Sequence, residues 1–252
     1  MSTPHPRPHD LLEQHLAELK LTRIAETYRE VLDEAARQNS SPLDVLAALI
    51  NAEVIARRQR TVQNRIKQAK LPPRKTLEDY DFSFPKRIPK QKILRLFDCQ
   101  FVEQHQSAVF IGPTGTGKTH LLNALAYSAC EKGISVHFTR VIDMINNLTT
   151  AQLKGTLEKT LKIYIRPALL LLDELGYLPI DRRGANLLFQ VVAARYESGA
   201  IVLSTNRPFR DWGQTFDVDN TLATAMIDRL MHHGEPILIQ GDSYRMKDKG
   251  NE

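Results

Sequence analysis

Apolar residues recur at helical spacing up to about Lys70 and then give way to short, uninterrupted aliphatic runs. Leu11, Leu12, Leu16 and Leu19 fall on one helical face, and no glycine occurs before Lys70. Ser41-Pro42-Leu43-Asp44 reads as a helix start, with serine at the cap and proline in the first turn, and predicts a helix over 43–69. Leu71-Pro72-Pro73 ends it. Residues 77–85 read as an extended linker with alternating aromatics, Tyr80, Phe82 and Phe84, and another helix is predicted over 90–104. From Ser107 the period changes. Strands are predicted at 107–111, 135–139, 168–172, 200–205 and 236–239, with helices at 120–130, 141–148 and 184–198. Strands this uniformly aliphatic are buried on both sides. The expected class is therefore α/β, a parallel sheet covered by helices on both faces and preceded by a small all-α region. The expected division is a basic helical region at 1–75, a linker and lead-in helix at 76–106, and the sheet domain at 107–252.

Composition narrows the setting. A hydrophobic share of 42% supports a real core, and the net charge of +5 points to a polyanionic partner. Cys99 and Cys130 stand far apart, which fits neither a disulfide framework nor a metal site and fits a reducing compartment. Residues 1–8 lack the apolar core of an export signal, and the longest aliphatic block, 168–172, is too short to cross a bilayer. The expectation is a cytoplasmic protein with no membrane contact.

The run Gly112-Pro113-Thr114-Gly115-Thr116-Gly117-Lys118-Thr119 fits G-x-x-x-x-G-K-[ST], between a predicted strand and a predicted helix that opens at His120. Its glycines allow the backbone amides to close around phosphate oxygens, and the helix aims its positive end at them. Lys118 can reach the β- and γ-phosphates and Thr119 can take one position on Mg²⁺, so ATP and Mg²⁺ are the expected ligands. Asp173-Glu174 ends the strand at 168–172, where ligands bind in such sheets. Asp173 is the second candidate Mg²⁺ ligand. Glu174 is the candidate general base, since side chains alternate along a strand and the two carboxylates cannot both face the metal. Asn206, after the next strand, can hydrogen-bond the attacking water or the γ-phosphate, or can serve only as a turn residue.

By these residues the chain resembles the AAA+ ATPases of the P-loop class. Asp173-Glu174-Leu175-Gly176-Tyr177, Ser204-Thr205-Asn206 and Ile227-Asp228-Arg229-Leu230 look like the IstB/DnaC branch. Residues 19–28, Ala52-Glu53-Val54, Ala69-Lys70-Leu71-Pro72-Pro73 and 75–82 look like IstB-type helper ATPases of insertion sequences. The resemblance implies that Asn206 is a first sensor and that Arg229 reaches a neighbouring subunit's γ-phosphate in a homo-oligomer with ATP at its interfaces. It also implies a transposase as partner and a role in capturing target DNA for transposition. Arg245 is either a second sensor or a contact to DNA or a subunit. A DnaC-like replicative helicase loader is the alternative within the branch.

Residues 54–77 carry Arg57, Arg58, Arg60, Arg65, Lys67, Lys70, Arg74 and Lys75 with no acid. Ile55, Val62, Ile66 and Ala69 fall on one side, so a docked helix would offer a row of cations to phosphates. No aromatic is interleaved, so sequence-independent duplex DNA is the expected partner. Lys154, Lys159, Lys162 and Arg166 form a second, weaker group. Tyr80, Phe82 and Phe84 either wall an adenine pocket or pin the linker. His232-His233 lacks a Cys, Asp or Glu at ligand spacing and reads as surface.

Overall fold

The computed structural model describes residues 8–216 and 220–244; Arg245 lies outside them. The chain divides into two compact units, residues 1–64 and 65–252.

The first unit holds α1 (Pro8–Glu18), α2 (Thr22–Gln38) and the first part of α3 (Pro42–Ala69). The sequence reading of α3 holds almost to the residue. Ser41 Oγ accepts from the Asp44 N–H at 3.2 Å and Asp44 Oδ2 accepts from the Ser41 N–H at 3.2 Å, a reciprocal cap. Leu21 precedes α2 and gives it no side-chain cap. Glu53, buried on α3, does so instead, accepting from the Arg23 N–H at 2.7 Å and the Ile24 N–H at 3.2 Å. Leu16, Ile24 and Tyr28 form the small core. Leu11, Leu12 and Leu19, expected on the same face as Leu16, are exposed, as is Ile55. A core built on three buried side chains leaves the outer positions of so wide a stripe in solvent.

The second unit is built on five parallel strands in the order β2-β3-β4-β1-β5. They are β1 (Ser107–Ile111), β2 (Val136–Arg140), β3 (Leu169–Leu175), β4 (Ala200–Thr205) and β5 (Gly234–Leu238). The helices are α4 (Lys90–Leu96), α5 (Gln100–Glu103), α6 (Lys118–Glu131), α7 (Val141–Leu153), α8 (Leu157–Ile165), α9 (Arg182–Arg195), α10 (Trp212–Thr215) and α11 (Asn220–Met231). Alternation sorts the aliphatic runs onto two faces. Ala108, Phe110, Leu169, Leu171 and Val202 pack with α4 and α6, whereas Val109, Ile111, Leu170, Leu172 and Leu203 pack with α7, α9 and α11. The helix expected over 90–104 is broken in two at Cys99, whose backbone is left-handed (φ 63°). The stretch read only for its cations, 154–166, contains α8, where Lys162 pairs with Glu158 at 2.8 Å.

Candidate functional site

The glycine-rich loop leaves β1 at its C-terminal end and enters α6 at Lys118. Gly117 has φ 85°, and a Cβ there would collide with the Tyr80 ring. The Tyr80 hydroxyl donates to the Thr116 carbonyl at 2.9 Å, and burial pushes its pKa up to about 12, so it stays a donor. Tyr80 therefore pins the linker to the loop, with Phe82 edge-on at 4.8 Å and packed against the core. Phe84 differs: it lines the cleft beside the loop, 4.9 Å from the ring of Tyr244. Lys118 Nζ donates to the carbonyls of Gly112 and Pro113 at 2.7 Å each, with its ammonium over the loop. His120 lines the cleft too, its Nε2 2.7 Å from the Thr76 carbonyl oxygen.

The end of β3 comes next to this loop. Asp173 is buried, and its Oδ1 accepts from Thr119 Oγ1 at 3.2 Å and from Ser204 Oγ in a shorter bond. Glu174 is exposed and lines the cleft, with left-handed backbone (φ 64°). The register between β3 and β4 shifts between Leu172 and Leu175. The two carboxylates thus part as expected, but by a bulge rather than by plain alternation. A non-glycine residue held at such an angle costs about 1–3 kcal/mol, and Ser204 Oγ holds it by accepting the Glu174 N–H at 3.0 Å. The sequence reading gave Ser204 no role of its own. Its only signal was its place beside Asn206.

Asn206 lines the same cleft, and its Oδ1 is buried without a protein partner. An amide oxygen so placed can accept from a water. Thr205 Oγ1 donates to the Leu175 carbonyl at 2.9 Å and accepts the Arg207 N–H at 3.0 Å, tying the ends of β3 and β4 together. The cleft thus gathers Lys118, Thr119, His120, Glu174 and Asn206, with Asp173 bonded to Thr119 beneath.

Arg229 stands elsewhere. It lies in the last turn of α11, its guanidinium 4.8 Å from the centre of the Phe189 ring. It shares a crevice with His105, Ser107 and His233 near the N-terminal ends of β1 and β5, opposite the loop. Within one chain it is not brought to the loop.

The cations of 54–77 fall in both units, with Arg57, Arg58 and Arg60 in the first and Arg65, Lys67, Lys70, Arg74 and Lys75 in the second. The expected row without compensation is corrected in part. Glu53, one residue before the window, lies 3.8 Å from Arg57 and 3.2 Å from Arg60, and Glu131 lies 2.9 Å from Arg74. Lys75 lines the cleft. His232 and His233 are exposed, as a surface reading expects, and the fold adds what spacing along the chain does not show: a Glu197 carboxylate oxygen within 4.8 Å of a ring nitrogen of each. Both cysteines are buried and free, and among the described residues no helix is long and apolar enough to cross a membrane.

A family model described as IstB-like ATP binding protein matches residues 14–252. A protein named for ATP binding in insertion sequence IS5376 of Geobacillus stearothermophilus is 36% identical and covers 94% of both chains. Its counterpart in IS21 of Pseudomonas aeruginosa is 38% identical over 94% of this chain and 89% of its own. Among solved structures, AMPPCP-bound DnaA from Aquifex aeolicus has a TM-score of 0.58 at 24% identity, covering 71% of this chain and 54% of that one. The DnaC helicase loader has a TM-score of 0.52 at 24% identity, covering 66% and 96%. At that identity the likeness speaks for the fold alone, a parallel sheet between helices.

Proposed function

The chain belongs to the family of IstB-like ATP-binding proteins, and we propose that it is an ATPase whose nucleotide state governs its assembly on duplex DNA in support of a transposase. The observation that carries the ATPase reading is the convergence at the end of β3. Asp173 accepts from Thr119 of the loop, while Glu174 is turned into the cleft by a bulge that Ser204 holds.

The residues fit Mg²⁺ and ATP. A threonine hydroxyl and a carboxylate are the hard oxygen donors that Mg²⁺ prefers, and the unpartnered Asn206 Oδ1 offers an acceptor in the same cleft. Bound Mg²⁺ supplies charge neutralisation at the β- and γ-phosphates. Lys118 and the amides of the loop orient the triphosphate, and Phe84 and Tyr244 offer aromatic edges to its base. Asn206 Oδ1 positions a water by accepting one of its hydrogens. Glu174 takes the other proton as the water oxygen bonds to the γ-phosphorus. The bond from that phosphorus to the β–γ bridging oxygen breaks, leaving ADP and inorganic phosphate.

Duplex DNA as partner is supported by the cations of 54–77 that no carboxylate of the described residues pairs, Arg58 and Lys67 among them, and by the net charge of +5. A transposase partner is supported by the insertion sequences for which the relatives are named. The test combines sedimentation with phosphate release. The protein should pellet with duplex DNA in ATP and much less in ADP, and Glu174→Gln should lower phosphate release by about a hundredfold or more while keeping ATP-dependent pelleting. Equal pelleting in both nucleotides removes the switch. A preference for single strands in competition favours a helicase loader.

A further inference from the structure

His232 and His233 lie in the turn between α11 and β5, and Glu197 lies in the turn between α9 and β4. β4 and β5 flank β1, so the two turns meet at the N-terminal ends of the strands. One donor atom from each of the three side chains lies within 4.8 Å of the others, and all three side chains are exposed. His233 Nε2 stands 3.5 Å from Glu197 Oε1. Two ligands of a tetrahedral ion with bonds of about 2.0–2.1 Å are separated by roughly 3.4 Å, so this pair already has the required spacing. His232 Nδ1 lies 2.8 Å from the Tyr196 hydroxyl. The tautomer that donates from Nδ1 to that oxygen leaves Nε2 its lone pair, the form in which an imidazole binds a metal.

We propose that Glu197, His232 and His233 form a three-ligand site for a transition-metal dication of the zinc class. Two imidazoles and one carboxylate are a borderline donor set, suited to Zn²⁺, Ni²⁺ or Cu²⁺ and poorly suited to Mg²⁺. The site is therefore chemically distinct from the all-oxygen pair Thr119 and Asp173 at the other end of the sheet. Arg195 and Arg229 line the adjoining crevice, and the Glu197 carboxylate offsets the positive charge around the ion. A bound ion ties the α9–β4 turn to the end of α11, the helix that carries Arg229, and so stiffens the face on which that arginine stands. The inference does not depend on the ATPase reading.

The test uses the full chain without a histidine tag, and with His5 and His9 replaced by asparagine in every sample to remove two other imidazoles. Zn²⁺ is titrated in competition with a chromogenic chelator. The parent should bind one Zn²⁺ per chain, His233→Ala should weaken binding at least about tenfold, and millimolar Mg²⁺ should not compete. Zn²⁺ should raise the melting temperature of the parent but not of the His232→Ala/His233→Ala variant. His232 and His233 are exposed, and circular dichroism checks that the variants stay folded. Parent affinity no tighter than that of the double variant overturns the site and leaves Glu197 and His233 an ordinary surface ion pair.

Discussion

The hydroxyl of Ser204 serves two neighbours at once, donating to Asp173 and accepting the N–H of Glu174. Without it, the Glu174 amide loses its partner and the left-handed backbone loses its restraint, each worth about 1–3 kcal/mol. The bulge would relax and carry the Glu174 carboxylate away from the position proposed for the attacking water, while the phosphate loop stayed intact. Ser204→Ala should therefore lower kcat by about ten- to a hundredfold and leave nucleotide affinity within about threefold. Ser204→Thr keeps the hydroxyl and should retain most of the rate. Binding and turnover falling together would show that Ser204 serves the fold of the site rather than the aim of Glu174.

Between elements, polar groups do what the aliphatic strands cannot. Arg195, at the end of α9, is buried and donates to the carbonyls of Tyr164, Ile165, Pro167, Ala168 and Ala200. It satisfies the backbone where α8 turns into β3, a bend with few partners of its own. Close by, His137 of β2 is buried with its ring 5.2 Å from that of Tyr164. Burial lowers its pKa from 6.5 to about 4, with the charges of Lys70 and Arg195 acting in the same direction. Between those two values the unfolded chain binds a proton that the folded chain refuses, so stability is complete above about 6.5 and declines as pH falls toward 4. The loss is at most about 3 kcal/mol. Urea denaturation across this range should show the decline, and His137→Leu should flatten it. An unchanged slope would place the acid sensitivity elsewhere.

For the whole molecule, the decisive fact is that Arg229 and the phosphate loop sit at opposite ends of one sheet. α11 precedes β5 and must deliver the chain to the starting end of that strand, which carries Arg229 away from Lys118. If the arginine acts on a triphosphate, it acts on a neighbour's. Arg229→Ala and Glu174→Gln should each be nearly inactive alone, yet mixing them should restore activity. In the mixture, an intact loop and base on one chain can meet an intact arginine from the other. The expected recovery is about a quarter of the wild-type rate for random pairing, and its absence would exclude action between subunits. The cations proposed for DNA are likewise shared between the two units, so DNA affinity should report on both.

Much of this was legible along the chain because its causes are local. Aliphatic runs of strand length, the Ser41–Asp44 cap and the spacing of the loop glycines depend on residues only a few positions apart, and β1, β4 and α3 emerged almost as read. The loop, Asp173 and Asn206 could be singled out because each follows a strand that can be recognised by itself. The rest depended on groups that meet only after folding: Glu53 capping a helix whose own preceding residue cannot, Ser204 turning Glu174, Glu197 joining His232 and His233, and Arg229 left at the far end of the sheet. Hydrogen bonds and ion pairs act over a few ångströms. Periodicity tells which face a side chain takes, and only the strand order tells which distant face comes to meet it.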